Sequence, residues 1–310
     1  MIFLPKDFIE TDEGFIFAVV AHGIEQGKVL CFLRYIKLDE SWIKVDTDQA
    51  NELLKEQCPS YLYYSALLDA KLHAVAIDKI IKHYQPRERL QYILNKRQYD
   101  EIELDLIQLC DLLQEIGMDL SHIGITGSLL VGVQKQSSDI DLICYGRDVF
   151  HQCRASVAKL IRQNKLQDLT EEEWISSYNR RSCHLSFSEY VWHERRKGNK
   201  ALINGRKVDL NFIDDTSNTD TMSYQKCGMI TLQCLVMDDT YAFDYPAVFK
   251  VCHGEYDSIV CFTATYTGQA IAGEMIEVSG KIEQTLEGLK RIVVGSSREA
   301  IGEYIKVIHA

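Results

Sequence analysis

The segment Ile123-Gly-Ile-Thr-Gly-Ser128, followed by Ser138-Asp-Ile-Asp-Leu-Ile-Cys144, carries most of the information in this chain. A strand repeats every two residues, so Asp139 and Asp141 are predicted to project from one face and their apolar neighbours from the other. Two adjacent carboxylates repel each other, and a divalent cation between them removes that repulsion, since Mg²⁺ prefers carboxylate oxygen. The pair therefore indicates a metal site.

The Gly127-Ser128 pair supplies the features of a phosphate site beside these carboxylates. Glycine lets the backbone come close to a ligand, and the N–H groups that open the next helix can hydrogen-bond an anion together with the Ser128 hydroxyl. A metal site next to a phosphate site is typical of a protein that binds nucleoside triphosphates.

This order of motifs resembles the DNA polymerase β-like nucleotidyltransferase superfamily. The shared features are a hydrophobic strand, Gly-Ser, a spacing of eleven positions from Ser128 to Asp139, and an Asp-x-Asp strand. The resemblance implies a third carboxylate on a later, neighbouring strand. The stretch 207–213, Lys-Val-Asp-Leu-Asn-Phe-Ile, alternates polar and apolar residues, and Asp209 is its candidate ligand.

The resemblance implies a two-metal reaction. An NTP binds at Gly127 and Ser128, and two Mg²⁺ ions are held by Asp139, Asp141 and Asp209. An acceptor hydroxyl attacks the α-phosphorus, an NMP is transferred, and pyrophosphate leaves. The acceptor is left open between RNA, a protein side chain and a small molecule.

Other interpretations remain. A lone Asp-x-Asp pair in a soluble protein most often lies on a solvated strand or loop, and a fold can host several functions. The alternative function is a non-catalytic, nucleotide- or RNA-binding regulatory protein of the antitoxin type.

Length and charge set broad limits. The 310 residues predict two or three compact units. A net charge of -11 disfavours a protein that coats nucleic acid non-specifically. The segment 193–207 still holds six basic side chains. Most are interpreted as a solvated hairpin tip, and one or two as facing triphosphate or acceptor.

The ten cysteines include no Cys-x-x-Cys, and no secretory signal is apparent, which favours reduced thiols in a cytoplasm. The apolar run 15–20 is too short to cross a bilayer, so no membrane association is expected. Zinc at Cys183, His184 and His193 fits no usual ligand spacing. The oligomeric state is not indicated.

The chain is predicted to be α+β, with a small mixed-sheet nucleotidyltransferase core. The segments are 1–95, a β-hairpin plus helices; 96–220, the core; and 221–310, a small β-barrel. Residues 63–83 are expected to be helical, 183–192 to be a strand, and 216–220 to be a linker. If the barrel binds single-stranded nucleic acid, the stacking candidates are Tyr256, Phe262, Tyr266 and Arg291.

The layout of the whole chain is also similar to a group of prokaryotic, especially archaeal, predicted nucleotidyltransferases. Three features carry this resemblance: Phe32-Leu-Arg-Tyr35, Trp192-His-Glu-Arg-Arg196, and the C-terminal Tyr266-Thr-Gly268 with Gly273-Glu274 and Gly280-Lys-Ile-Glu283. It supports the architecture and implies no particular acceptor.

Overall fold

A computed structural model describes residues 2–181, 183–215, 223–297 and 300–308. The predicted linker, 216–220, lies outside the described residues. Within them the chain forms seven α-helices and three β-sheets, which confirms the α+β class. Across the same residues, no helix combines the length and apolar character needed to cross a bilayer.

The chain divides into two compact units. The first comprises Met1–Ser65, Lys71–Asp168 and Asn199–Thr219, and the second comprises Ala66–Ala70, Leu169–Gly198 and Asp220–Ala310. The division into segments 1–95, 96–220 and 221–310 stays a prediction.

An N-terminal sheet begins the first unit. Its strands are β1 (Phe8–Thr11), β2 (Phe15–Val19), β3 (Lys28–Leu38), β4 (Ser41–Lys44), β5 (Leu62–Ser65), β6 (Ala70–Ala76) and β7 (Ile80–Tyr84), in the order β5-β6-β3-β2-β1-β7, with β4 on β3. Helices α1 (Thr47–Gln57) and α2 (Pro86–Asn95) accompany it.

The helical expectation for residues 63–83 is wrong, because these residues form β5, β6 and β7. Their Ala- and Leu-rich composition favours a helix locally, but the pairing of β6 with β3 and of β7 with β1 overrides it. Buried His73 shows the tertiary constraint, since the backbone N–H of Leu33 donates to its Nδ1 at 2.9 Å.

The small central sheet of the first unit contains the motifs. Its elements are α3 (Glu101–Glu115), β8 (Ile123–Thr126), α4 (Ser128–Val131), β9 (Ile140–Tyr145), α5 (Arg147–Arg162), β10 (Lys200–Ile203) and β11 (Arg206–Ile213). The order is β10-β11-β9-β8, with β9 and β11 parallel and the other pairs antiparallel. The strand before Gly127, the helix that begins after it and the Asp-x-Asp strand, all predicted from the sequence, are confirmed as β8, α4 and β9.

The second unit contains two helices and the third sheet. Its elements are α6 (Glu171–Asn179), α7 (Phe187–Lys197), β12 (Gln225–Tyr241), β13 (Ala247–Cys252), β14 (Ser258–Cys261), β15 (Met275–Gln284), β16 (Lys290–Val294) and β17 (Tyr304–Val307). Pairings run from β12 through β13, β14, β16 and β15 back to β12. The closed small barrel stays a prediction.

The strand expected at 183–192 is wrong, because most of it lies in α7. Ser186 begins the helix with a reciprocal capping box: its side chain accepts from the Glu189 N–H, and the Glu189 carboxylate accepts from the Ser186 N–H. Buried residues then recur at a helical period, at Tyr190, Glu194 and Lys197. The Ser-x-x-Glu pattern was the available sequence signal.

The stacking candidates do not form an open platform. Tyr256 and Tyr266 are buried in the second unit, at 3% exposure each. Arg291 lies over the Tyr224 ring and forms an ion pair with Glu283. Phe262 is partly buried. These four side chains are therefore mostly used in packing.

Candidate functional site

Strand pairing places two of the predicted ligands side by side. In the parallel pair of β9 and β11, Asp141 is directly opposite Asp209. On its other edge, β9 pairs with β8, where Asp141 is opposite Thr126. Neighbouring strands lie about 4.8 Å apart, so paired residues bring their side chains together. Asp139 directly precedes β9, and so all three predicted carboxylates lie at one part of the sheet.

The turn after β8 packs against Asp141. Gly127 has a φ of +70°, and a Cβ atom there would lie 2.7 Å from Asp141 Oδ2. Only glycine therefore allows the backbone to approach this carboxylate so closely. Ser128 begins α4 directly after the turn and is partly buried. Gly127 therefore lies beside the Asp-x-Asp strand, as the sequence predicts, and the role of Ser128 stays a prediction.

Two lysines neutralise the carboxylates. Lys207 Nζ donates to Asp139 Oδ2 at 3.0 Å and lies 3.8 Å from Asp209 Oδ2. Lys200 Nζ lies 3.6 Å from Asp209 Oδ1. The Lys207 and Lys200 side chains are 5% and 9% exposed. Of the basic segment 193–207, these two lysines therefore belong to the site.

Three further members of that basic segment, Arg196, Lys197 and Arg206, make contacts outside the site. Arg206 Nε donates to Asp105 Oδ2 at 2.7 Å, and buried Lys197 donates to Glu194 and to the Thr265 carbonyl. The interpretation as a solvated hairpin tip is wrong for Lys197 and Lys207, which are both buried. Charge counting alone could not distinguish solvated lysines from paired ones.

The environment of Asp141 opposes its negative charge. Burial is the largest cause that raises the pKa of Asp141 to about 6, and the Asp209 carboxylate raises it further. Asp139 also raises this pKa, whereas the Lys6 and Lys207 ammonium groups lower it. No described residue donates a hydrogen bond to the Asp141 carboxylate. In such surroundings, a nearby cation would stabilise the ionised carboxylate.

The N-terminal region supplies two residues that the sequence analysis missed. The Lys6 carbonyl accepts a hydrogen bond from Thr126 Oγ1 at 2.8 Å, which ties this segment to the end of β8. Burial raises the pKa of Tyr35, Arg34 lowers it, and Asp141 raises it. Lys6 and Tyr35 thus act electrostatically on the same site.

A β-bulge directs Tyr35 toward this site. Leu33 pairs with Phe17 and Tyr35 pairs with Ile16, which leaves Arg34 as an extra residue in β3. The extra residue reverses the strand face, since side chains alternate along a strand. Tyr35 therefore packs in a cluster that includes Leu130 of α4. No local sequence pattern marks this bulge.

The three carboxylates suit a hard cation in their chemistry. All of their donor atoms are oxygens, and Asp209 Oδ1 is buried and accepts no hydrogen bond. Among the described residues, however, no three His, Cys, Asp or Glu side chains form a closed ligand group. The Lys207 ammonium lies between Asp139 and Asp209. The donor atoms therefore suit a hard cation in kind, and in this structure the Lys207 ammonium lies among the same oxygens.

The zinc alternative does not fit the second unit. His184 Nε2 accepts from the Gly302 N–H at 2.8 Å, and His193 Nε2 accepts from the Val307 N–H at 3.1 Å. Both imidazoles are therefore committed to the backbone. All ten cysteines are free thiols.

Comparison with known proteins identifies a relative. An uncharacterised protein of Methanocaldococcus jannaschii, MJ1086, is 32% identical over an alignment of 343 residues, which covers 97% of this chain and 98% of that protein. The chain belongs to the family of this archaeal protein. No model of a known family matches the sequence, and no solved structure matches it significantly. The relative's name assigns no activity, so the chemistry must be argued from the site.

Proposed function

We propose that this protein is a Mg²⁺-dependent nucleotidyltransferase that moves an NMP from an NTP to a hydroxyl acceptor. The observation that carries this proposal is the position of Asp141, in register with Asp209 and in contact with the Gly127 turn. The proposal includes a polymerase β-like core in the first unit and a small C-terminal barrel. It rests on the motif order and on the clustering of three carboxylates.

Each residue of the site has a distinct part in this reaction. The close approach of the Gly127 turn leaves the Ser128 hydroxyl and nearby N–H groups to hydrogen-bond phosphate oxygens. Asp139, Asp141 and Asp209 would hold the metal. Bound Mg²⁺ supplies charge neutralisation at the phosphates and lowers the pKa of the acceptor hydroxyl. Asp209 is the proposed proton acceptor, because its buried Oδ1 has no hydrogen-bond donor.

The bond changes balance without a covalent enzyme intermediate. The acceptor oxygen forms a bond to the α-phosphorus, the bond from the α-phosphorus to the bridging oxygen breaks, and pyrophosphate leaves with the electron pair. The acceptor proton passes to a carboxylate. Lys200 and Lys207 reduce the repulsion between a triphosphate and three aspartates. Positioning and electrostatics are enough for such a transfer.

The test is transfer of radioactive label from NTPs in a lysate, with purified protein and Mg²⁺. Label from α-³²P NTP is expected on an acceptor, and Asp141→Asn is expected to abolish it. Asp148→Asn is the matched control, since Asp148 is an exposed carboxylate in the first turn of α5. Transfer of label only from γ-³²P NTP would indicate a kinase and contradict the proposal.

The two lysines favour a second candidate, the non-catalytic nucleotide- or RNA-binding regulator. Because Lys207 and Lys200 already neutralise Asp139 and Asp209, the carboxylates can be stable without a metal. Calorimetric titration with ATP, with Mg²⁺ and with EDTA, separates the two functions. Three results would favour the regulator. They are equal affinity for ATP with Mg²⁺ and with EDTA, no label transfer, and undiminished biological activity of Asp139→Ala.

A further inference from the structure

Lys207 occupies an unusual position in the proposed site. Its side chain is 5% exposed, and its ammonium lies 3.0 Å from Asp139 Oδ2 and 3.8 Å from Asp209 Oδ2. Lysine is almost never buried unless it is paired. It lies two residues before Asp209 on β11, so both side chains project from the same face. The lysine and the two carboxylates therefore form one compact charged group.

The ammonium and a divalent cation compete for the same oxygens. Asp139 and Asp209 are two of the three proposed metal ligands, and Lys207 lies within ion-pair distance of both. A lysine ammonium is a compact point charge on a flexible stem, so it can leave and find another anion nearby. Two cations within about 4 Å of each other repel strongly at low dielectric. Simultaneous occupation by both cations is therefore disfavoured.

We propose that Lys207 is an internal counter-ion that keeps the site closed to divalent metal until a nucleoside triphosphate arrives. This inference rests on the proposed function and adds the regulation of its site. A metal that binds alone must expel the ammonium into a poorly solvated position, which costs free energy. A metal that arrives with a triphosphate brings anionic oxygens that accept the displaced ammonium. Metal and nucleotide therefore load together.

Joint binding of metal and nucleotide is a thermodynamic coupling between two ligands, so each ligand changes the affinity for the other by the same factor. In the wild-type protein, a nucleotide strengthens metal binding because it stabilises the displaced lysine. Without the ammonium, the metal has no competitor, and this part of the coupling is lost. The lysine therefore weakens the binding of metal alone and strengthens the binding of the metal–nucleotide pair.

The experiment measures Mn²⁺ binding by electron paramagnetic resonance, without nucleotide and with an α,β-methylene NTP analogue. Without nucleotide, Lys207→Met is expected to bind Mn²⁺ at least about tenfold more tightly than wild type, because a competing charge is removed. Lys207→Arg, which keeps the charge, is expected to bind it as weakly as wild type. The analogue is expected to increase Mn²⁺ affinity more in wild type than in Lys207→Met.

Lys200→Met is the control for a general loss of positive charge. Lys200 also lies near Asp209, at 3.6 Å, whereas Lys207 lies 3.0 Å from Asp139 Oδ2 and 3.8 Å from Asp209 Oδ2. General electrostatics predicts similar gains for both variants, and direct competition predicts the larger gain for Lys207→Met. Circular dichroism checks folding, and Lys207→Gln provides a second neutral variant that retains a hydrogen-bond donor.

The outcomes separate this inference from the function on which it rests. If wild type binds Mn²⁺ without nucleotide as tightly as both neutral variants, or if Lys200→Met gives the same gain, the inference is wrong while label transfer can still be observed. If no variant binds Mn²⁺ even with the analogue, both the inference and the proposed function fail.

Discussion

At the scale of single residues, Asp141 is a carboxylate whose surroundings disfavour its ionised form. Burial and the neighbouring Asp209 raise its pKa to about 6, compared with about 3.9 for an unperturbed aspartate. Below about pH 4 the Asp141 carboxyl is protonated in the folded, metal-free protein, so it does not lower the free energy of unfolding. As the pH rises, ionisation of Asp141 lowers the free energy of unfolding, and this loss reaches its full size above the pKa of the folded state.

The first prediction follows from this destabilising effect of the ionised Asp141 carboxylate. In metal-free buffer at about pH 8, Asp141→Asn is expected to increase the free energy of unfolding by about 2 kcal/mol, and at about pH 4 by almost nothing. Urea denaturation with EDTA at both pH values measures this difference, with Asp148→Asn as control. A loss of stability at pH 8 would show that the ionised carboxylate is favourably bound within the protein.

Gly127 leads to the second prediction. Gly127→Ala introduces a Cβ atom 2.7 Å from Asp141 Oδ2 at a φ of +70°. Gly205→Ala is the matched control, because Gly205 has a φ of +77° and nothing lies within 4 Å of the position of its Cβ. Backbone strain is expected to cost about 1 kcal/mol in Gly205→Ala and about 1–3 kcal/mol in Gly127→Ala, because Gly127 has a ψ of -145°, in a region that is almost restricted to glycine. Only Gly127→Ala is expected to lose more stability, and with it label transfer.

Equal losses in urea denaturation, with label transfer retained in both variants, would contradict this account of the turn. They would mean that the Asp141 side chain moves aside at no cost.

At the scale of elements, the hairpin of β10 and β11 positions both lysines. Asn204 and Gly205 connect the two strands with φ of 50° and 77°. The Asn-Gly pair is a strong local signal for such a hairpin. This hairpin pairs Lys200 with Asp209 and Leu202 with Lys207, so the turn fixes the positions of both lysines.

The third prediction concerns α7. Lys197 and Glu194 are buried and form an ion pair of 2.5 Å. Lys197→Met is expected to cost about 3 kcal/mol, because it leaves the Glu194 charge buried without this partner. The double variant Glu194→Gln with Lys197→Met is expected to recover much of that loss. Chemical denaturation of wild type, the two single variants and the double variant gives the coupling energy; strict additivity would contradict the ion pair as the cause.

At the scale of the whole molecule, local signals in the sequence were enough for the central elements. Strand β8, helix α4 and strand β9 follow from alternation, from the Gly-Ser turn and from apolar runs. Long-range features could not be predicted in this way. The Arg34 bulge and the burial of Lys207 depend on contacts distant in sequence, and the helical composition of 63–83 is overridden by pairing with β3 and β1.

The fourth prediction concerns the response of the whole chain to its ligands. A ligand that binds only the folded state raises its stability, by about 3 kcal/mol at a hundred times the Kd. An NTP with Mg²⁺ is therefore expected to raise the Tm of wild type, and Mg²⁺ alone is expected to raise it much less. Asp141→Asn should lose the joint effect. A thermal-shift panel of four NTPs measures this and identifies the preferred base.

The central claim is that Asp139, Asp141 and Asp209 form one metal–nucleotide site. A crystal structure with Mn²⁺ and an α,β-methylene NTP analogue, solved with anomalous diffraction, tests it directly. The predicted result is at least one Mn²⁺ peak at about 2.1 Å from carboxylate oxygens of this group, with phosphates at the Gly127 turn and the Lys207 ammonium moved from Asp139. Nucleotide bound elsewhere, with Lys207 still on Asp139 and no Mn²⁺ peak, would contradict the claim.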